Sequence, residues 1–134
     1  MPNFFEASRR HFSDAEYLQN DNRLPNAGQL YGFSAECGIK ALIEKTGAKP
    51  TKDHAHQLVN LLPTLQIEAQ GRLSAQYLAK IDQKKFNAWG TWHTDQRYEA
   101  EKDISQMKDF NDWYASAKNV SEVLEEGRID GVFL

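Results

Sequence analysis

Cysteine is nearly missing from this chain: Cys37 is alone, inside an apolar run. A disulfide framework is therefore excluded, and a reducing, cytoplasmic setting is the natural expectation. No apolar run approaches the roughly 20 residues that a membrane-spanning helix requires, so no membrane partner is expected. The start, Met1-Pro2-Asn3-Phe4-Phe5-Glu6, lacks a basic region followed by an apolar stretch and does not read as a signal peptide. There is no Gly-rich phosphate loop, no G-x-S-x-G elbow and no H-E-x-x-H pair. No internal repeat or low-complexity segment interrupts the 134 residues, a length that suits one domain over 1–134.

The charge balance is also short on one side. A net charge of -3 and a pI near 5.8 argue against a broad basic coat for nucleic acid, though not against a local basic pocket. Apolar residues make up 40% and charged residues 26%, so a globular core is expected and wholesale disorder is not. The mean hydropathy of -0.69 is low, which leaves room for a helical face that a partner covers.

What is present is helical periodicity. Asn3 is a cap for a first helix, with Glu6 in capping-box position and Phe4, Phe5, Ser8, Phe12, Ala15 and Leu18 at helical spacing. Asn20-Asp21-Asn22 is turn chemistry. Pro25-Asn26 opens a second helix. Its stretch Leu30–Ile43 has only Ser34, Glu36 and Lys40 as plainly polar residues, the signature of a helix contacted on nearly every side. Gly47 is its expected stop.

A short helix carries Leu58, Leu61 and Leu62, with Pro63 at or beyond its end. A fourth is expected over Ile67–Phe86, with Leu73, Tyr77, Leu78 and Ile81 inward. Asn87 to Tyr98 is irregular and aromatic. A last helix is expected from about Glu99 to Glu126, with Ile104, Met107, Phe110, Tyr114, Ala117, Ser121 and Leu124 as its buried stripe and Gly127 as its end. The tail Val132-Phe133-Leu134 has either the core or a partner to dock on. No pair of alternating β-type runs occurs, so the expected fold is all-α, an up-and-down bundle of four to five helices.

Two groups of residues stand out chemically. Glu36 and Lys40 are four apart with Glu on the N-terminal side, the better orientation for an ion pair. Among apolar neighbours they must pair with each other or with something else. They are either a structural pair or the lining of a cleft or a dimer seam near a ligand phosphate. The second group is the run Trp92-His93-Thr94-Asp95-Gln96-Arg97-Tyr98, placed before a helix N-terminus. Such a terminus favours anions. Arg97 offers a planar fork for phosphate, while Trp92 and Tyr98 offer faces for a base to stack on. The alternative is packing: Trp89, Trp92 and Tyr98 plug the bundle end, and Asp95 and Arg97 pair locally.

Other polar residues carry weaker signals. His54 and His56 lack the companions a metal site needs, so no metal or other cofactor is expected. Arg9-Arg10-His11 and Lys84-Lys85 read as solvated faces. Cys37 has no base near it in sequence and reads as core rather than nucleophile.

The run F-x-x-A-x-x-L (Phe12, Ala15, Leu18), then A-x-x-L-Y-x-x-x-A-E-x-x-I-K-A-L-I (Ala27 to Ile43), then H-x-L-x-x-L (His56, Leu58, Leu61) resembles the HEPN domain family. The resemblance spans most of the chain. It implies a helical bundle, usually a homodimer with a cleft between subunits. Family activities range from metal-independent ribonucleases of toxin–antitoxin and defence systems to nucleotide-binding companions of nucleotidyltransferase-type partner proteins. Nuclease members carry an Arg followed four to six residues later by a His. Here Arg97 is followed at those places by Glu101, Lys102 and Asp103, and His93 precedes it.

The resemblance thus leads to a binding module for a nucleotide or RNA, with Trp92, His93, Asp95, Arg97, Tyr98, Glu36 and Lys40 at the ligand. One alternative is a ribonuclease toxin using Arg97 and His93. Cleavage by 2′-hydroxyl attack needs a cation on the phosphate and a base on the hydroxyl. A further alternative is an antitoxin or adaptor with a protein in its cleft.

Overall fold

The structure is a computed structural model, and it describes residues 3–47, 58–68, 74–92 and 109–133. Among these residues all regular structure is helical. The first helix, α1 (Phe4–Asn20), starts where Asn3 Oδ1 accepts the Glu6 amide at 3.0 Å, a cap worth about 1 kcal/mol. It ends with the Arg23 amide on the Leu18 carbonyl, the Asn22 amide on the Gln19 carbonyl, and Asn22 at a φ of 59°. That is a Schellman closure, and Asn is one of the few side chains that enters the left-handed region readily.

The second helix, α2 (Leu24–Glu44), has no side-chain cap and places Pro25 in its first turn, where no intrahelical donor is needed. It is buried on nearly all sides, as expected. The two helices form an antiparallel hairpin. Ser8 and Ser34 lock its centre: each hydroxyl donates to the other residue's carbonyl, at 2.7 and 2.8 Å. Hydroxyls so small let the backbones come close. Gly38 continues the effect, since a Cβ there would lie 3.2 Å from the Ser8 hydroxyl.

The return leg departs from expectation. Instead of one continuous helix over Ile67–Phe86, the described residues hold α3 (Leu61–Glu68), α4 (Ser74–Leu78) and α5 (Gln83–Phe86), with Ala79–Asp82 outside any helix. A 3-10 turn, Leu58–Asn60, precedes α3 and another, Asn87–Thr91, follows α5. Pro63 does not end a helix. It sits in the first turn of α3, where a missing N–H does no harm.

The break before α5 has a tertiary cause. Asn119 donates to the Lys80 carbonyl at 3.2 Å and accepts the Asp82 amide at 2.8 Å, which satisfies the backbone on both sides of the gap. Asp82 then caps α5 by accepting the Lys85 amide at 3.0 Å.

The last described helix is α6 (Asp109–Ile129). Its partners fix the topology. Gly28 lies against Trp113 and Gly38 against Val120, so α2 and α6 run parallel. Tyr77 bonds Asp130 and Trp89 bonds Ser116, so the return leg runs antiparallel to α6. This is the up-and-down bundle, with its third leg broken.

Phe110, Ala117 and Leu124 are buried as expected, together with Trp113, Ser116, Val120 and Val123. Tyr114 and Ser121 are only half-buried, because the apolar stripe meets α1 and α2 on one side and the return leg on the other. Ile104 and Met107 lie outside the described residues, as does Leu73.

Gly127 is not the stop. It is buried inside α6, and a Cβ there would sit 2.7 Å from the Phe133 ring. Gly131, at a φ of 84°, ends the helix, with Val132 bonded back to the Gly127 carbonyl at 2.8 Å. That closure folds the tail onto the hairpin, where Phe133 stacks on Phe5 with centroids 4.5 Å apart.

Candidate functional site

The buried charges on α2 form the centre of the candidate site. Lys40 Nζ donates to Glu36 Oε2 at 2.7 Å, and the two side chains are only 3% and 6% exposed. The Lys40 ammonium also lies 5.7 Å from the centroid of the Phe4 ring, a favourable cation–π distance. Glu36 Oε1 is different: it is buried and has no hydrogen-bond partner among the described residues. A carboxylate oxygen withdrawn from water in this way costs free energy that its neighbours must offset.

Across the helix contact stands His11 on α1. Its half-buried ring meets Phe33 with centroids 5.8 Å apart and planes at 49°. Burial lowers its pKa, and the Arg10 charge adds to this, against the opposing pull of Asp14 and Glu36. The imidazole is therefore neutral at pH 7. Cys37, half-buried beside Glu36, has its thiol pushed up to about 11, first by burial and then by the Glu36 carboxylate. A thiol so placed stays protonated and unreactive at neutral pH, in line with a packing role.

Trp92 joins the aromatic run to this face. It is 2% exposed, and its indole N–H donates to the Gly28 carbonyl at 3.0 Å. Its ring occupies the space a side chain at Gly32 would need: a Cβ there would come within 2.0 Å. Phe33 meets it edge-on at 5.7 Å. Trp89 and Trp113 complete the packing. Trp89 bonds Ser116 and Trp113 bonds the Ala88 carbonyl, so all three indoles are buried with satisfied N–H groups. The position of Trp92 is that of a packing residue, buried against Gly32 of α2 and Trp89.

A family-model scan finds no match to this chain. Comparison with curated proteins and with solved structures finds none either.

His93, Asp95, Arg97 and Tyr98 lie outside the described residues, as do His54 and His56. Among the described residues no group of three His, Cys, Asp or Glu side chains could hold a metal. Arg9 is exposed, 4.0 Å from Glu125 and over the Phe5 ring, and Lys84 and Lys85 are exposed on α5.

The structure thus brings together Glu36, Lys40, His11, Phe33 and Cys37, with Trp92 at their edge. In the sequence His11 belongs to a basic run that reads as a solvated face, and Phe33 is one apolar residue among many on α2. A signal existed: Phe4, His11 and Leu18 repeat every seven residues on α1, so His11 shares the side that faces α2.

Proposed function

We propose that this chain is a HEPN-like helical module that binds a nucleotide or RNA on the α1–α2 face, without nuclease chemistry of the usual Arg–His kind. The observation that carries this reading is the burial of Trp92 against Gly28 and Gly32. The aromatic, Arg-bearing run 93–98 follows directly on an anchor that touches Phe33, and Phe33 in turn touches His11. The buried Glu36–Lys40 pair lies on the next turn of α2. In this reading Arg97 holds phosphate and Tyr98 stacks on a base. Trp92 positions the run and does not touch ligand.

The test is a titration of the full chain with fluorescently labelled nucleotides and short RNAs, repeated with Arg97→Ala. Saturable binding that weakens at least about tenfold in the variant, a loss of roughly 1.4 kcal/mol, supports the reading. No binding at high micromolar concentration overturns it.

A further inference from the structure

The Glu36 carboxylate has an unused face. Lys40 occupies Oε2 through one lone pair, while Oε1 is buried and accepts from no described residue. An ionised carboxylate carries about four acceptor sites over its two oxygens. Both oxygens therefore retain capacity for N–H donors, and Oε1 retains all of it. His11, close enough to Glu36 for the carboxylate charge to act on its imidazole, and Phe33, about one turn before Glu36 on α2, form a pair of half-buried rings 49° apart in plane. No hydrogen bond to a described residue retains the His11 ring. A turn of the ring would leave the Phe33 face to a flat ligand.

We propose that Glu36 and Phe33 read a guanine base: the N1–H and N2–H edge lies along the Glu36 carboxylate, and the ring stacks on Phe33 in the place the His11 ring vacates. The inference rests on the nucleotide-binding reading above and adds the identity of the base.

The chemistry selects among bases. Guanine presents two adjacent N–H donors on one edge, matched to two carboxylate oxygens. Adenine and cytosine set a single amino group beside a ring nitrogen that accepts, and that acceptor would oppose a carboxylate oxygen. Uracil flanks its one N–H with two carbonyl oxygens, which oppose it twice. A desolvated acceptor punishes such mismatches most, because no water takes the missing donor's place. A phosphate is the wrong ligand here, since the Glu36 charge repels it. The neutral state of His11 fits the same picture: the imidazole does not compete as a cation for Oε1.

The experiment is calorimetric titration of the full chain with guanosine, inosine, N1-methylguanosine, adenosine and 5′-GMP. The expected order has guanosine about tenfold or more tighter than adenosine or N1-methylguanosine, with inosine between. The His11 ring resonances should shift on guanosine addition.

Glu36→Gln supplies a second measurement. Its one remaining oxygen must accept from Lys40, which turns an amide donor towards the base and should erase the guanosine preference. Phe33→Ala should weaken all the nucleosides alike. Equal affinity for guanosine and N1-methylguanosine overturns the proposal, whatever the folding of the variants. A folded Glu36→Gln protein that keeps the preference also overturns it. If 5′-GMP binds while guanosine, N1-methylguanosine and adenosine bind alike, this inference fails while the nucleotide-binding reading stands; if no nucleotide binds, both fail.

Discussion

Trp92 and Gly28 are joined across 64 residues of sequence by one hydrogen bond, indole N–H to backbone carbonyl, at 3.0 Å. One turn further along α2, Gly32 provides the space the indole fills. Gly32→Ala therefore places a methyl group about where ring atoms now sit, and either Trp92 leaves or the backbone moves. A loss on the order of 3–5 kcal/mol is expected, comparable to deleting a buried aromatic. Gly28→Ala is the control, because its Cβ would make ordinary contact at 3.4 Å with Trp113. Urea melts should show the first variant strongly destabilised and the second changed by about 1 kcal/mol or less, since helix propensity favours Ala. A red shift of tryptophan emission should accompany only the first.

The Glu36–Lys40 pair gives a non-additive pattern. Lys40→Met leaves a buried carboxylate without its ammonium and should cost about 3–5 kcal/mol. The double variant Glu36→Leu with Lys40→Met removes both charges and should recover most of that loss. A double variant as unstable as the sum of the singles would mean that the pair's worth lies in packing and not in charge compensation.

Asn119 holds the broken leg. Asn119→Ala removes an acceptor for the Asp82 amide and a donor for the Lys80 carbonyl. The site is partly open to water, so a cost of about 1–2 kcal/mol is expected. Amide exchange should accelerate around residues 80–86 before it does in α2.

At the α1 end, Asn22→Gly should add a few tenths of a kcal/mol, because Gly enters the left-handed region at less cost than Asn. Asn22→Val should do the opposite, losing about 1–2 kcal/mol. Thermal melts of the three proteins check both signs.

His11 and Cys37 give a pH signature. The folded-state pKa of His11 lies below its unfolded value of 6.5. Between those two values the unfolded chain binds the extra proton, so stability is full above pH 6.5 and falls as pH drops towards the folded pKa. His11→Gln should flatten that acid slope. Cys37, with its pKa pushed up to about 11, should react with a thiol reagent at pH 8 far more slowly in the native protein than in urea.

Several elements were legible in advance because their causes are local. The Asn3 cap, the Asn20–Asn22 turn and the all-round burial of α2 follow from side chains acting on their own backbone, or from one helix's periodicity. The Glu36–Lys40 pair was legible for the same reason, being four residues apart on one helix. Gly127 misled because a glycine near a helix end resembles a stop, whereas its task is to admit Phe133.

By itself, then, the amino-acid sequence determined the all-α class, the hairpin of α1 and α2 and the buried ion pair, since short-range spacing sets all three. Only the tertiary structure decided where the return leg breaks, because the Asn119 amide that ends one short helix and aligns the next comes from α6. It also decided that Trp92 anchors the bundle, through a space at Gly32 that no local pattern announces. Lastly, it set His11 and Phe33 beside Glu36, a meeting of two helices that depends on how the Ser8–Ser34 contact registers them.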